Sequence, residues 1–138
     1  MSEHDTQAAF FQWLDRQRIA GAELMHAIPN GGARHPAVAG RLKAEGVKPG
    51  VPDVYWPLAR GAFIGLAIEF KHGDGVPGKE QRQRINLLQQ EGWCVCLCWS
   101  WAAAARTVQG YAGMMRIDTL PVEECPSSLK FDNLQAVD

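Results

Sequence analysis

Three residues in this chain have the types and spacing to do chemistry together: Asp53, Glu69 and Lys71. They lie in two short stretches, Gly50-Val51-Pro52-Asp53 and Ile68-Glu69-Phe70-Lys71. Residues two apart in a strand share a face, so Glu69 and Lys71 point one way and Phe70 points into the opposite layer. If a strand beginning at Asp53 lies beside this one, two carboxylates converge next to an ammonium group. A hard cation such as Mg²⁺ takes oxygen ligands of this kind, with one or two protein carboxylates completed by water and substrate phosphate. Such a cation polarises a phosphoryl oxygen, and a neighbouring lysine stabilises the charge that develops or orients the attacking water. Phosphodiester hydrolysis is the chemistry this set could perform. The same residues also suit a plainer role, with Asp53 closing a proline-containing turn and Glu69 and Lys71 lining a solvated strand face. Asp-(x15)-Glu-x-Lys alone leaves both readings open.

The other reactive side chains point elsewhere. His26, His35 and His72 fall near expected strand ends or loops, but no His-x-x-x-His pair offers a metal site. His26, inside an expected strand, reads as a satisfied core residue, and His72 as a neighbour of the site. Cys94, Cys96 and Cys98 alternate along Trp93-Cys94-Val95-Cys96-Leu97-Cys98-Trp99. Alternation places the thiols on one sheet face, roughly 7 Å apart between neighbouring Cα atoms. They read as small apolar core groups rather than disulfides or zinc ligands. Cys125 stands alone. Trp13, Trp93 and Trp99 read as core or dimer contacts rather than base-stacking platforms.

The elements that must position Asp53, Glu69 and Lys71 follow from periodicity. Ala9, Phe10, Trp13 and Leu14 recur at helical spacing and predict a helix over residues 3–19, stopped by Gly21. Residues 23–28 read as a strand that enters the Pro29-Asn30-Gly31-Gly32 loop. A short helix is expected over 36–45, ended by Gly46, and Lys48-Pro49-Gly50-Val51-Pro52 cannot be helical. Residues 53–57 and 63–71 form two strands, joined through Arg60-Gly61 as an antiparallel hairpin. After a polar turn over 72–78 comes a helix over 79–90, with Ile85, Leu88 and Leu87 as inward candidates and Gly92 just past its end. The cysteine strand follows, and Ser100 then caps a helix over 101–113.

The chain has 138 residues, 46% of them apolar, enough for one compact core. Its formal charge of −1 excludes a molecule that binds nucleic acid through net positive charge, so phosphate contacts must be local. No run is long enough to span a bilayer, and no leader pattern opens the chain, so a soluble, cytoplasmic protein without membrane partners is expected. Past Arg116 the pattern weakens, which sets the expected division into a domain over 1–116 and a C-terminal extension over 117–138.

With its motifs in this order, the sequence resembles the PD-(D/E)XK nuclease superfamily and, more closely, the VRR-NUC family of virus-type replication and repair nucleases. The resemblance rests on Glu3 and Gln7 in the first helix, Pro29-Asn30-Gly31-Gly32, Gly50-Val51-Pro52-Asp53, Ile68-Glu69-Phe70-Lys71, Glu80-Gln81 and Gly92. It implies an α/β fold with a restriction-endonuclease-like αβββαβ core, its mixed central sheet flanked by helices. It also implies that Asp53, Glu69 and the Phe70 backbone carbonyl hold Mg²⁺ or Mn²⁺, with Glu3 completing the site through water. Lys71 is then the catalytic lysine, and Gln81 a polar partner beside it. Phe70 departs from the leucine expected in the family's Glu-x-Lys, but faces the core. Family members of this size resemble Holliday-junction resolvases and act as homodimers on branched DNA, and a phage or bacterial source fits the resemblance.

Phosphate contacts then need donors around the centre. Arg34, His35, Arg41, Lys43 and Lys48 precede it, and Lys79, Arg82 and Arg84 follow it, the latter near a helix N-terminus whose free N–H groups favour anions. Each could equally be a solvated surface charge. Nothing resembles a sequence-reading module, so DNA structure is the expected target. A second reading from a different class keeps the fold as a DNA-binding or assembly module without hydrolysis. The intact Asp53, Glu69 and Lys71 set argues against it.

Overall fold

The computed structural model describes residues 1–29, 35–115 and 135–137. The first helix, α1 (Glu3–Asp15), opens with Ser2, whose hydroxyl accepts from the Asp5 N–H while the Asp5 carboxylate accepts from the Ser2 N–H. This reciprocal cap satisfies two of the orphan donors of a helix start. The helix buries Thr6, Phe10 and Leu14 and ends four residues before the expected Ile19. Tertiary contacts stop it: Gly21 adopts φ +83°, its carbonyl accepts from the Trp56 indole, and a Cβ there would meet the Leu58 side chain at 2.6 Å. The strand expected over 23–28 shortens for the same reason. Residues 22–24 form a 3₁₀ turn, and only β1 (His26–Ala27) is extended.

α2 (Pro36–Ala44) follows, with His35 as its cap and no residue buried. β2 (Val54–Trp56) and β3 (Gly65–Phe70) form the expected antiparallel pair, with Val54 opposite Ile68 and Trp56 opposite Leu66. α3 (Lys79–Gln90) then crosses to β4 (Trp93–Cys98), parallel to β3 with Glu69 opposite Leu97. Gly92, at φ +97°, supplies the left-handed turn between them. Ser100 caps α4 (Trp101–Ala112) by accepting from the Ala103 N–H. Gln135–Val137 adds β5 beside β4, a strand beyond the boundary read at 116, giving the sheet order β1-β2-β3-β4-β5.

The sheet separates two layers. Leu66, Ile68 and Phe70 join Val54, Trp56 and the three buried cysteines against α1 and α4. Cys94, Cys96 and Cys98 are all free thiols, and burial pushes that of Cys98 up to about 12, so they pack rather than react. The opposite face carries Ala67, Val95 and Leu97 beneath Ile85 and Leu88 of α3. Leu87, an inward candidate by sequence, is 58% exposed, because the sheet offers α3 only a narrow apolar strip. Phe10 is fully buried, with its ring 5.8 Å from that of Phe70. Phe10→Ala is therefore expected to destabilise the protein by about 3–5 kcal/mol in chemical denaturation. A loss below about 1 kcal/mol would show that α1 does not depend on this contact.

Candidate active site

The antiparallel register of β2 and β3 extends one residue to bring Asp53 against the end of β3. Its Oδ2 accepts from the Phe70 N–H at 2.7 Å, so this side chain continues the ladder where the backbone of β2 begins. Glu69 and Lys71 share the opposite face from Phe70, as alternation requires, and both are buried, at 3% and 8% exposure. The Lys71 Nζ lies 3.4 Å from Glu69 Oε1.

Gln81, at the third position of α3, ties this pair together. Its Oε1 accepts from Lys71 Nζ and from the Gly78 N–H, each at 2.9 Å, and its Nε2 donates to Glu69 Oε1 at 2.9 Å. Two donors on one side and a carboxylate on the other fix the orientation of the amide. The Gly78 bond also caps the helix, so the start of α3 and the Glu69–Lys71 pair are positioned by one side chain. Gly50 brings the preceding loop onto the same helix end. It adopts φ +78°, and a Cβ there would lie 2.7 Å from the Glu80 backbone. Gly50, Gly78, Lys79, Glu80 and Gln81 line an open cavity of about 460 Å³ at the start of α3.

Electrostatically the site is a carboxylate dyad. Burial, then repulsion from Asp53, pushes the Glu69 carboxyl up to about 8, against the attraction of Lys71. Burial also raises Asp53, opposed by the Phe70 N–H, with a further upward contribution from the charge of Glu3. Buried Glu69 and half-buried Asp53 in hydrogen-bond contact disfavour carrying two negative charges, and a cation would relieve that repulsion. The donor set fits a hard divalent cation, which draws its remaining ligands from backbone carbonyl, water and phosphate. Among the described residues no cluster of three or more His, Cys, Asp or Glu side chains could hold a metal.

A stability consequence follows. The folded-state pKa of Glu69 is raised above its ordinary 4.5, so folding takes up a proton between that value and about 8. The associated stability is fully present below about 4.5 and lost as pH rises through about 8. The melting temperature in EDTA is expected to fall between pH 6 and pH 9, and Glu69→Gln should flatten that fall. A wild-type curve equally flat in EDTA would contradict a protonated Glu69.

The remaining candidates are dispersed. Glu3 is exposed at the start of α1, near enough to act on Asp53 by charge but outside any metal-holding cluster. His35 accepts from the Ala37 N–H through Nδ1, and Arg41, Lys43 and Lys48 are exposed in or just after α2. Lys79 and Arg82 are exposed on α3, whereas Arg84 is half buried near Tyr55. Arg34, Asn30, Gly31, Gly32 and Cys125 lie outside the described residues. His26 is not the core residue expected of a strand interior, since β1 is an edge strand and leaves it exposed. His72 is exposed as well. Sequence reasoning missed the contact of Gly50 with α3, although the Pro-Gly-Val-Pro run signals a fixed loop.

A mixed sheet with two helices on one face and a third carrying the polar bridge is a nuclease-type α/β architecture, restriction-endonuclease-like in its order of elements. A solved structure described as a VRR_NUC domain protein superposes with a TM-score of 0.74 at 29% identity, over 86% of this chain and 93% of that one. The resemblance to the VRR-NUC family read in the sequence is borne out by this likeness. No protein-family model matches the sequence, and no curated protein matches it. Among the described residues, no helix is long and apolar enough to cross a membrane.

Proposed function

We propose that the protein is a Mg²⁺- or Mn²⁺-dependent endonuclease that hydrolyses DNA phosphodiester bonds, selects branched structures in the manner of a Holliday-junction resolvase, and works as an intracellular homodimer. The observation that carries this reading is the dyad of half-buried Asp53 and buried Glu69, with Glu69 tied through Gln81 to Lys71, on a nuclease-type fold.

Asp53 and Glu69 would hold the cation, joined by the Phe70 carbonyl and, through water, by Glu3. When bound, the cation supplies Lewis-acid polarisation of the phosphoryl group and a water of lowered pKa. Lys71 stands where its ammonium can stabilise negative charge on the phosphorane-like transition state or orient the attacking water. Gln81 keeps Lys71 and Glu69 in one arrangement before substrate arrives, which removes reorganisation from the reaction. Arg34, His35, Arg41, Lys43 and Lys48 before the site, and Lys79 and Arg82 after it, would contact DNA phosphates and position the duplex arms without reading bases. Paired cuts across a junction need two active sites related by a two-fold axis, which is the reason for a dimer.

The test is cleavage of a labelled four-way junction, a duplex and a single strand in Mg²⁺, Mn²⁺ or EDTA, with light scattering for the mass. Metal-dependent cuts paired across the junction by a dimer support the full reading. Cleavage of plain duplex alone would keep a nuclease with another target, and binding without cleavage of any substrate would leave the non-catalytic module.

A further inference from the structure

Among the described residues nothing covers α2: every residue over 35–49 is exposed except Leu42, which is half buried. A helix of nine residues is marginal in water by itself, and α2 is held by its own ends. His35 Nδ1 accepts from the Ala37 N–H at 3.2 Å, and Pro36 opens the first turn. At the far end Gly46, at φ +99°, donates to the Lys43 carbonyl at 3.1 Å, and Val47 donates to the Leu42 carbonyl at 3.0 Å. This pair of bonds closes a helix without help from another element. Leu42 marks the side turned to the body. Gly40 lies on the far side, where a Cβ would meet nothing within 4 Å. Arg41 and Lys43, the chain neighbours of Leu42, are turned about 100° to either side of it. Against Arg41, Lys43 and Lys48 the stretch sets a single acid, Glu45, in a chain whose formal charge is −1. The excursion that carries α2 also starts and ends at the site: the Ile28 N–H donates to the Asp53 carbonyl at 2.8 Å, and Gly50 is pressed onto the start of α3.

We propose that α2 docks in the major groove of a duplex arm of the DNA substrate, with Arg41 and Lys43 on its two phosphate rows, next to the bond held at Asp53 and Glu69. This deepens the nuclease reading above and rests on it. The local positive charge of an uncovered helix complements a polyanion, and the geometry selects its form. An α-helix with its side chains is about 10–12 Å across and the major groove of B-DNA about 12 Å wide, so cations on opposite flanks of a seated helix reach opposite walls. The face that enters carries Pro36, Ala37, Gly40 and Ala44, none with a polar side chain for a base edge. Docking is therefore independent of sequence and dependent on duplex shape. The deep, narrow major groove of an RNA duplex does not admit such a helix. The six residues from Val47 to Asp53 span at most about 20 Å, which places the groove within about six base pairs of the cleaved bond.

The test is fluorescence anisotropy of a labelled DNA duplex, DNA single strand and RNA duplex of one sequence, over a salt series in EDTA. The proteins are full-length wild type, the double variant Arg41→Gln with Lys43→Gln, Gly40→Glu and Gly40→Gln. The double variant should lose about 10- to 100-fold in DNA-duplex affinity at about 0.1 M salt, and its slope of log K against log salt should be shallower by about two. A single strand has no second wall, so its loss should stay within about fivefold. Gly40→Glu should weaken duplex binding about tenfold and Gly40→Gln much less, while both melt at or above the wild-type temperature, since glycine is the poorer helix former. An unchanged salt slope, equal losses on duplex and single strand, or an RNA duplex bound as tightly as DNA would overturn the proposal. So would a Gly40→Glu protein whose mass by light scattering falls below that of wild type, which would make α2 an interface between copies. Duplex binding with this signature by a wild type that cuts no DNA in Mg²⁺ or Mn²⁺ would sustain the docking helix and sink the nuclease reading. Cleavage by a protein that shows none of it would do the reverse, so the two can fail separately.

Discussion

Asp53→Asn is expected to lower DNA cleavage by at least about a thousandfold while the protein melts within a few degrees of wild type. Asparagine keeps an oxygen in place to accept from the Phe70 N–H, so the junction of β2 and β3 survives. What disappears is half the charge that would hold a divalent cation, and a Lewis acid is worth several kcal/mol of transition-state stabilisation, about tenfold in rate for each 1.4 kcal/mol. Calorimetric titration with Mn²⁺ should show the binding heat lost in the same variant. An Asp53→Asn protein that cuts at more than a tenth of the wild-type rate would remove Asp53 from the site.

Lys71→Met should cost about a hundred- to a thousandfold in kcat, through loss of a charge aimed at the reacting phosphate. It should separate cleanly from Asp53→Asn, because removing a cation beside a metal site relieves repulsion. Mn²⁺ should therefore bind Lys71→Met at least as tightly as wild type. The metal-free variant should pay for it in stability above pH 8, where Glu69 ionises without its 3.4 Å partner. Arginine is not expected to rescue, since a guanidinium is a wide planar fork and Lys71 occupies a nearly closed space against Gln81. Cleavage by Lys71→Met within tenfold of wild type would assign the lysine a structural role only.

The dependence of both effects on Gln81 shows how the local and the tertiary meet at this centre. The amide caps α3, which is a matter of sequence-local geometry, and it also spans Lys71 and Glu69, which is not. A cap is legible three residues from its partner. A bridge to a strand ten residues away depends on how closely α3 settles on the sheet, and that approach requires Gly50 to lie against Glu80.

The sequence by itself determined the features whose causes lie within a turn or a strand. Alternation put Glu69 and Lys71 on one face and Phe70 on the other, and likewise gathered the cysteines in the core. Ser100 and Gly92 marked element ends through cap chemistry and positive φ. The hairpin of β2 and β3, and with it the meeting of Asp53 with Glu69, followed from strand patterns separated by a short connection. Only the tertiary structure decided where α1 stops, since Gly21 is held by Trp56 and Leu58 from far along the chain. It also exposed His26 on an edge strand, turned Leu87 outward, and added Gln135–Val137 to the sheet. The physical reason is common to all of these: period and capping are energies of neighbouring residues, whereas burial is settled by whichever distant surface arrives to cover a side chain.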